Sequence, residues 1–214
     1  FFGSVGTLAE TSQLQCQAFN KAFDEAGLDW FWKPTEYREL LREPGGVKRI
    51  RAEAKRRNQS VDAENIHARK VAHFHELVSA QGLVPRPGVV ETLEWARAEG
   101  VMVSWVTTTG CDTIDLILMG LRNSLSASSF RFILDATAVK LPKPAPDIYR
   151  HALKRAGIGP DHAIAIEDTP ESANAALSAG IKTVAFPGWA AAERRFPQGV
   201  KSLDVLSADA LLSY

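Results

Sequence analysis

Apolar positions recur at helical spacing through the first third of the chain. Leu14, Ala18, Phe19, Ala22 and Phe23 fall on one face of a helix that Thr11 or Ser12 can cap and Gly27 can stop. A polar and aromatic stretch, Asp29-Trp30-Phe31-Trp32, leads to a helix around Tyr37, Leu40 and Leu41, broken by Pro44-Gly45-Gly46. The next helix, about Val47 to Arg57, is strongly basic. Another runs from an Asp62 cap to about Ala80, with Val71, Phe74, Leu77 and Val78 as its apolar face and Gly82 as its stop. Residues 14–83 are therefore expected to be helical throughout.

After Pro85-Arg86-Pro87-Gly88 the pattern changes. A helix carrying Val89, Leu93 and Ala96 ends at Gly100, and Val101 to Val106 reads as a buried strand. A helix with Ile114, Ile117, Leu118 and Leu121 follows, then a strand over Phe130 to Leu134 and a helix over Pro146 to Ala156. Ala163 to Ile166 predicts a strand, Pro170 to Ala179 a helix, and Ile181 to Phe186 a further strand. Alternation of this kind builds a parallel sheet with helices on both faces. The expected fold is α/β: a three-layer α/β/α Rossmann-like core over residues 1–13 and 84–214, with a helical domain over 14–83 inserted after the first strand. Phe1-Phe2 is too short for a whole opening strand, so residues preceding Phe1 are expected.

Composition narrows the function classes. The 214 residues, 45% of them hydrophobic, suffice for one sizeable core or a core plus a small second domain. Lys+Arg and Asp+Glu balance at 25 each, so no global field favours nucleic acid or an anionic membrane. No apolar run approaches the roughly 20 residues of a membrane span, and no signal-peptide pattern is present. Cys16 and Cys111 read as two reduced, partly buried thiols, and the protein as cytoplasmic.

Ligands of such sheets bind at the carboxyl ends of the strands. That rule selects Gly3-Ser4-Val5-Gly6-Thr7-Leu8, Thr107-Thr108-Thr109-Gly110, Lys143-Pro144-Ala145-Pro146 and Glu167-Asp168-Thr169-Pro170. Glu167 and Asp168 can offer oxygens to a hard cation, although Asp168 or Thr169 can equally cap the following helix. Lys143 can present an ammonium to a phosphate, and Thr107 and Thr108 hydroxyls and N–H groups. Singly, each is an ordinary surface lysine or turn; in this order on an α/β chain they are more.

In these motifs the chain resembles the haloacid dehalogenase superfamily, and within it the CbbY and β-phosphoglucomutase-like group. The resemblance covers essentially the whole chain. It is carried by Gly6-Thr7-Leu8-Ala9-Glu10-Thr11, Thr107-Thr108-Thr109, Lys143-Pro144-Ala145-Pro146-Asp147-Ile148-Tyr149, and Ala165-Ile166-Glu167-Asp168-Thr169 with Gly180. The segments Leu28-Asp29-Trp30-Phe31-Trp32 and Tyr37-Arg38-Glu39-Leu40-Leu41 look CbbY-like in particular. The resemblance implies phosphate binding at Thr107, with Thr108 beside it, a phosphoryl-steadying Lys143, and magnesium held by Glu167 and Asp168. It implies a cap arginine, Arg49, on a sugar phosphate, although Gly45-Gly46-Val47-Lys48-Arg49 departs from the family's Gly-Gly-Lys-Glu-Arg.

The first motif departs further. The family reads Asp-x-Asp-Gly-Thr where this chain has Gly3-Ser4-Val5-Gly6-Thr7. Gly3 replaces the nucleophile, which is also a metal ligand, and Val5 replaces the general acid and base. Neither residue can do that chemistry. Ser4 is one residue off, and strand alternation is expected to turn it away from the line of attack. Three readings follow: a silent relative with a phosphate pocket, binding a phosphorylated small molecule or a protein partner; an active magnesium-dependent phosphatase using water or another nucleophile; or laboratory replacements made to trap a ligand. His67, His73 and His75 are expected to be solvated or half-buried. The basic helix with Lys48, Arg49, Arg51, Lys55, Arg56 and Arg57 reads first as a solvated face, and second as an Arg49 clamp on an anion. Trp30, Phe31 and Trp32 read as packing.

Overall fold

The computed structural model describes residues 1–43 and 45–213. The chain divides into two compact units, Phe1–Glu10 with Leu83–Tyr214, and Thr11–Gly82. Pro44, expected to help break a helix, lies outside the described residues.

The first unit is the α/β core. Its strands are β1 (Trp105–Val106), β2 (Ile133–Leu134), β3 (Ile164–Glu167), β4 (Lys182–Ala185) and β5 (Lys201–Ser202). β1 pairs with β2, β3 with β4 and β4 with β5, all parallel. Phe2 joins the two ladders by bridging Trp105 on one side and Ile166 on the other, so the opening segment runs down the middle of the array. The backbone bonds are regular: Phe2 N–H to Ser104 O at 2.9 Å and Gly3 N–H to Ile166 O at 3.0 Å. This position puts Gly3 at the carboxyl end of a central strand, between Thr107 after β1 and Glu167 at the end of β3.

Helices Asp147–Ala156 and Pro170–Ser178 cover the sheet through Ile148, Tyr149, Ala152, Leu153, Ala175 and Ala176, packed on Val106, Leu134 and Ala165. Thr169 starts the second of these helices, its hydroxyl accepting from Ser172 N–H at 3.4 Å, so Thr169 and not Asp168 is the cap. Of the strand expected over Val101 to Val106, β1 spans Trp105–Val106, with Val103 O and Ser104 O also accepting from Arg131 and Phe2 N–H, whereas Val101 and Met102 are exposed. A buried-strand reading cannot distinguish an apolar run that pairs from one that leads up to pairing. Beyond β4 the chain adds β5 and a helix, Ala208–Leu212, where the sequence shows little periodicity.

The second unit consists of helices Ser12–Glu25, Pro34–Leu40, Gly46–Arg56 and Ala63–Gln81. Asp62 caps the last, accepting from Asn65 N–H at 2.9 Å. Its core is aromatic: Phe19, Phe23, Trp30, Trp32 and Tyr37 are buried, with Phe23 edge-on to Trp32 at 4.7 Å. Trp30 and Trp32 are thus packing residues, whereas Phe31 is exposed. Val71, expected on the apolar face, is exposed as well. Cys16 is buried and Cys111 is exposed, both as free thiols; Cys111 begins a helix, where its side chain leaves the core.

Candidate active site

The four strand-end segments converge on one carboxylate. Glu167, the last residue of β3, is fully buried and both its oxygens are engaged. On Oε1 it accepts from Lys143 Nζ at 2.6 Å and from the Tyr149 hydroxyl. On Oε2 it accepts from Ser4 N–H at 3.2 Å and from Ser4 Oγ at 3.1 Å. Lys143 also donates to Val106 O at 2.8 Å and reaches Tyr149 Oη at 3.4 Å. Its side chain is 5% exposed, so the Lys143–Glu167 pair is a buried ion pair in the interior of the core.

Gly3 explains how Glu167 comes to lie there. Gly3 is buried, and a Cβ built on it would overlap the Glu167 carboxylate. The volume that a side chain at this position would take is filled by the end of the Glu167 side chain. The same holds one turn on, where a Cβ on Gly6 would overlap Asp168 Oδ2. Both members of the acidic pair therefore lean toward the first motif.

Ser4 does not turn away as alternation predicts. Its backbone is extended (φ −78°, ψ 170°), but it stands at the head of the short helix Val5–Leu8. Its hydroxyl meets Glu167 and also Ser172 Oγ at 3.1 Å. Thr107 is buried, and its hydroxyl is committed locally, to Thr109 Oγ1 at 3.0 Å and from Thr109 N–H at 3.1 Å. Thr108 lies beside it, half-buried. Tyr149, Ser172 and Arg86 were not singled out by sequence reasoning. Tyr149 carries a signal, lying six residues after Lys143 on a helix whose apolar face is buried. Arg86 donates to Gly6 O at 2.9 Å, Phe186 O at 2.6 Å and Pro187 O at 2.7 Å, fixing the loops around the site. Nothing in Pro85-Arg86-Pro87 foretells that.

Asp168 is the uncompensated group. Its Oδ1 is buried with no hydrogen-bond partner. Burial first, and the neighbouring Glu167 second, push its carboxyl up to about 6, against the Ser4 hydroxyl, Lys143 and Arg86. A folded-state value above the unfolded one means stability is highest at low pH and is lost as pH rises through about 6. Asp168→Asn is therefore expected to stabilise the protein at pH 7.5 by on the order of 2 kcal/mol and to change little at pH 4. Thermal unfolding at the two pH values checks this; equal effects at both would contradict it.

Arg49 lies in the helical unit. Its Nε donates to Leu40 O at 3.0 Å and an amino nitrogen to Glu43 O at 2.9 Å, with the guanidinium 5.5 Å from the Tyr37 ring centroid. It thus ties the start of its own helix to the preceding one. Much of the basic helix is ion-paired on its own surface, Lys48 with Glu43, Arg51 with Glu64, and Arg56 and Arg57 with Glu53. Among the described residues, no group of three or more His, Cys, Asp or Glu side chains is placed to hold a metal.

A family model described as haloacid dehalogenase-like hydrolase matches residues 6–186. Protein CbbY of Cereibacter sphaeroides is 33% identical over 95% of this chain and 90% of its own. The plasmid-encoded Protein CbbY of Cupriavidus necator is 36% identical over 91% and 80%. Among solved structures, a CbbY mutant from Rhodobacter sphaeroides in complex with xylulose-(1,5)bisphosphate superposes with a TM-score of 0.80, at 33% identity, over 95% of this chain and 92% of that one. By the extent of that match and the closeness of these relatives, the chain belongs to the haloacid dehalogenase-like hydrolases and is of the CbbY type.

Proposed function

We propose that this protein binds a phosphorylated sugar and does not turn it over by its family's covalent route. The observation that carries this reading is the buried Gly3, whose side-chain volume is filled by a carboxylate already tied to Lys143. A covalent step needs an attacking group with a line to phosphorus. Glu167 has neither free oxygens nor exposure, and Val5 has no proton to give. The ligand class is supported by the CbbY relative solved with xylulose-(1,5)bisphosphate. Lys143 would meet the phosphate with Thr108, and with the Thr107 hydroxyl once released from Thr109.

Magnesium does not fit the residues present. It needs near-octahedral oxygen ligation, commonly with one or two protein carboxylates. Glu167 has both oxygens committed, and Gly3 offers no carboxylate. Of the acidic pair, Asp168 has the buried oxygen without a partner. Cytoplasmic location belongs to the same proposal; among the described residues, no helix is long and apolar enough to cross a membrane.

One observation favours catalysis by another group: the Ser4 hydroxyl donates to a carboxylate. That carboxylate already carries Lys143 and the Tyr149 hydroxyl on its other oxygen and is fully buried, so phosphoserine at Ser4 is not expected. The test is an assay of purified protein with magnesium and a panel of sugar mono- and bisphosphates, xylulose-(1,5)bisphosphate included. Turnover is expected to match a Gly3→Ser control. Turnover that survives repurification, or a phosphoserine peptide containing Ser4, overturns the proposal.

A further inference from the structure

We infer that the anion site at Lys143 is filled from within, Glu167 standing where the family's aspartate and an incoming phosphate would otherwise compete for the same ammonium. The inference rests on the reading of Lys143 as the phosphate-binding cation. An ammonium has three protons to donate. Those of Lys143 point to Glu167 Oε1, Val106 O and Tyr149 Oη. A phosphate oxygen can reach it only by displacing one of them, and Glu167 is the only one of the three that carries charge.

Glu167 is well held against displacement. Two donors serve each of its oxygens, and one of those donors is the backbone of the first motif itself. With an aspartate at position 3 this arrangement could not form, because the two side chains would share one volume. The loss of the nucleophile therefore does two things at once. It removes the attacking atom, and it lets a would-be metal ligand fold inward and neutralise the cation. While the lock holds, a phosphate binds Lys143 only in competition with Glu167, and magnesium lacks the Glu167 oxygens.

The lock makes Glu167 an internal competitor, and removing its charge is expected to strengthen anion binding. Calorimetric titration with inorganic phosphate, and separately with magnesium chloride, compares the parent protein with Glu167→Gln and Tyr149→Phe. Glu167→Gln keeps the shape and an acceptor for Lys143 while freeing its charge. It is expected to bind phosphate at least about tenfold tighter, within the usual range of coupling between two ligands. Tyr149→Phe weakens the hold on Glu167 by one hydrogen bond without altering either charge, and a gain of about threefold is expected. Its reading stands even if Glu167→Gln fails to fold. Magnesium is expected to give no saturable heat with the parent.

Phosphate bound equally well or better by the parent than by both variants overturns the lock and leaves the proposed function intact. Binding by none of the three proteins overturns both. Magnesium binding by the parent that Glu167→Gln abolishes also overturns the lock, since Glu167 would then be a free metal ligand.

Discussion

Gly3→Asp combined with Val5→Asp is expected to produce magnesium-dependent hydrolysis of a sugar phosphate, at least about 10⁴-fold above the parent. Deleting the nucleophile of an enzyme that depends on one costs on the order of 10⁶ in rate. A general acid contributes a further factor of roughly 10²–10⁴, though the two losses do not multiply in full. The structure favours accommodation of the new side chains. Gly3 is not held at positive φ, so an L residue fits its backbone. What stands in the way is the carboxylate end of Glu167, a side chain that yields once a new carboxylate takes its Lys143 contact, and not backbone. An aspartate at position 3 would compete for Lys143 and displace the carboxylate end of Glu167. Carboxylate oxygens are then free to face one another, and one or two such groups commonly suffice for magnesium. Gly3→Asp alone restores the attacking atom without the proton donor and is expected to lag the double variant by about 10²–10⁴. If the double variant folds with an unchanged circular dichroism spectrum yet stays within tenfold of the parent, the site has diverged beyond its two missing carboxylates.

How much of this was legible depends on the residue. The order of helices and strands followed from periodicity and from Gly27, Gly82 and Asp62, because such signals act within a few residues. The strand-end rule picks out the segments of Gly3, Thr107, Lys143 and Glu167, since topology alone carries side chains at those ends to one place. The state of Glu167 was not legible. The sequence holds a carboxylate, Glu167, 163 residues after Ser4, but does not show that the volume left at Gly3 is filled by its side chain. Ser4 was misread for a related reason. Alternation holds within a strand, and Ser4 is where the strand gives way to a helical turn. Arg49 reads from sequence as part of a solvated face or as an anion clamp, and neither reading foretells the Leu40 and Glu43 carbonyls that it serves, which a guanidinium finds through the local path of the chain.

Lys143→Met is expected to destabilise the core by about 3–5 kcal/mol, the usual consequence of removing one partner from a buried ion pair. The penalty comes from what is left behind. Glu167 has no exposure, and after the substitution its Oε1 would retain only the Tyr149 hydroxyl. A chain of this size shifts in melting temperature by roughly 2–4 °C per kcal/mol, so a drop on the order of 10 °C is anticipated. The companion variant, Lys143→Met with Glu167→Gln, removes both charges and leaves an amide that the Ser4 N–H and hydroxyl can still serve. Because breaking a buried pair is far more harmful than replacing it whole, the double substitution is expected to recover at least about 2 kcal/mol of the loss. That recovery ties the stability of the core to the same contact that closes the anion site. A Lys143→Met protein as stable as its parent would mean that Glu167 finds water or another donor once the lysine is gone, and a carboxylate so easily re-partnered could not act as a lock.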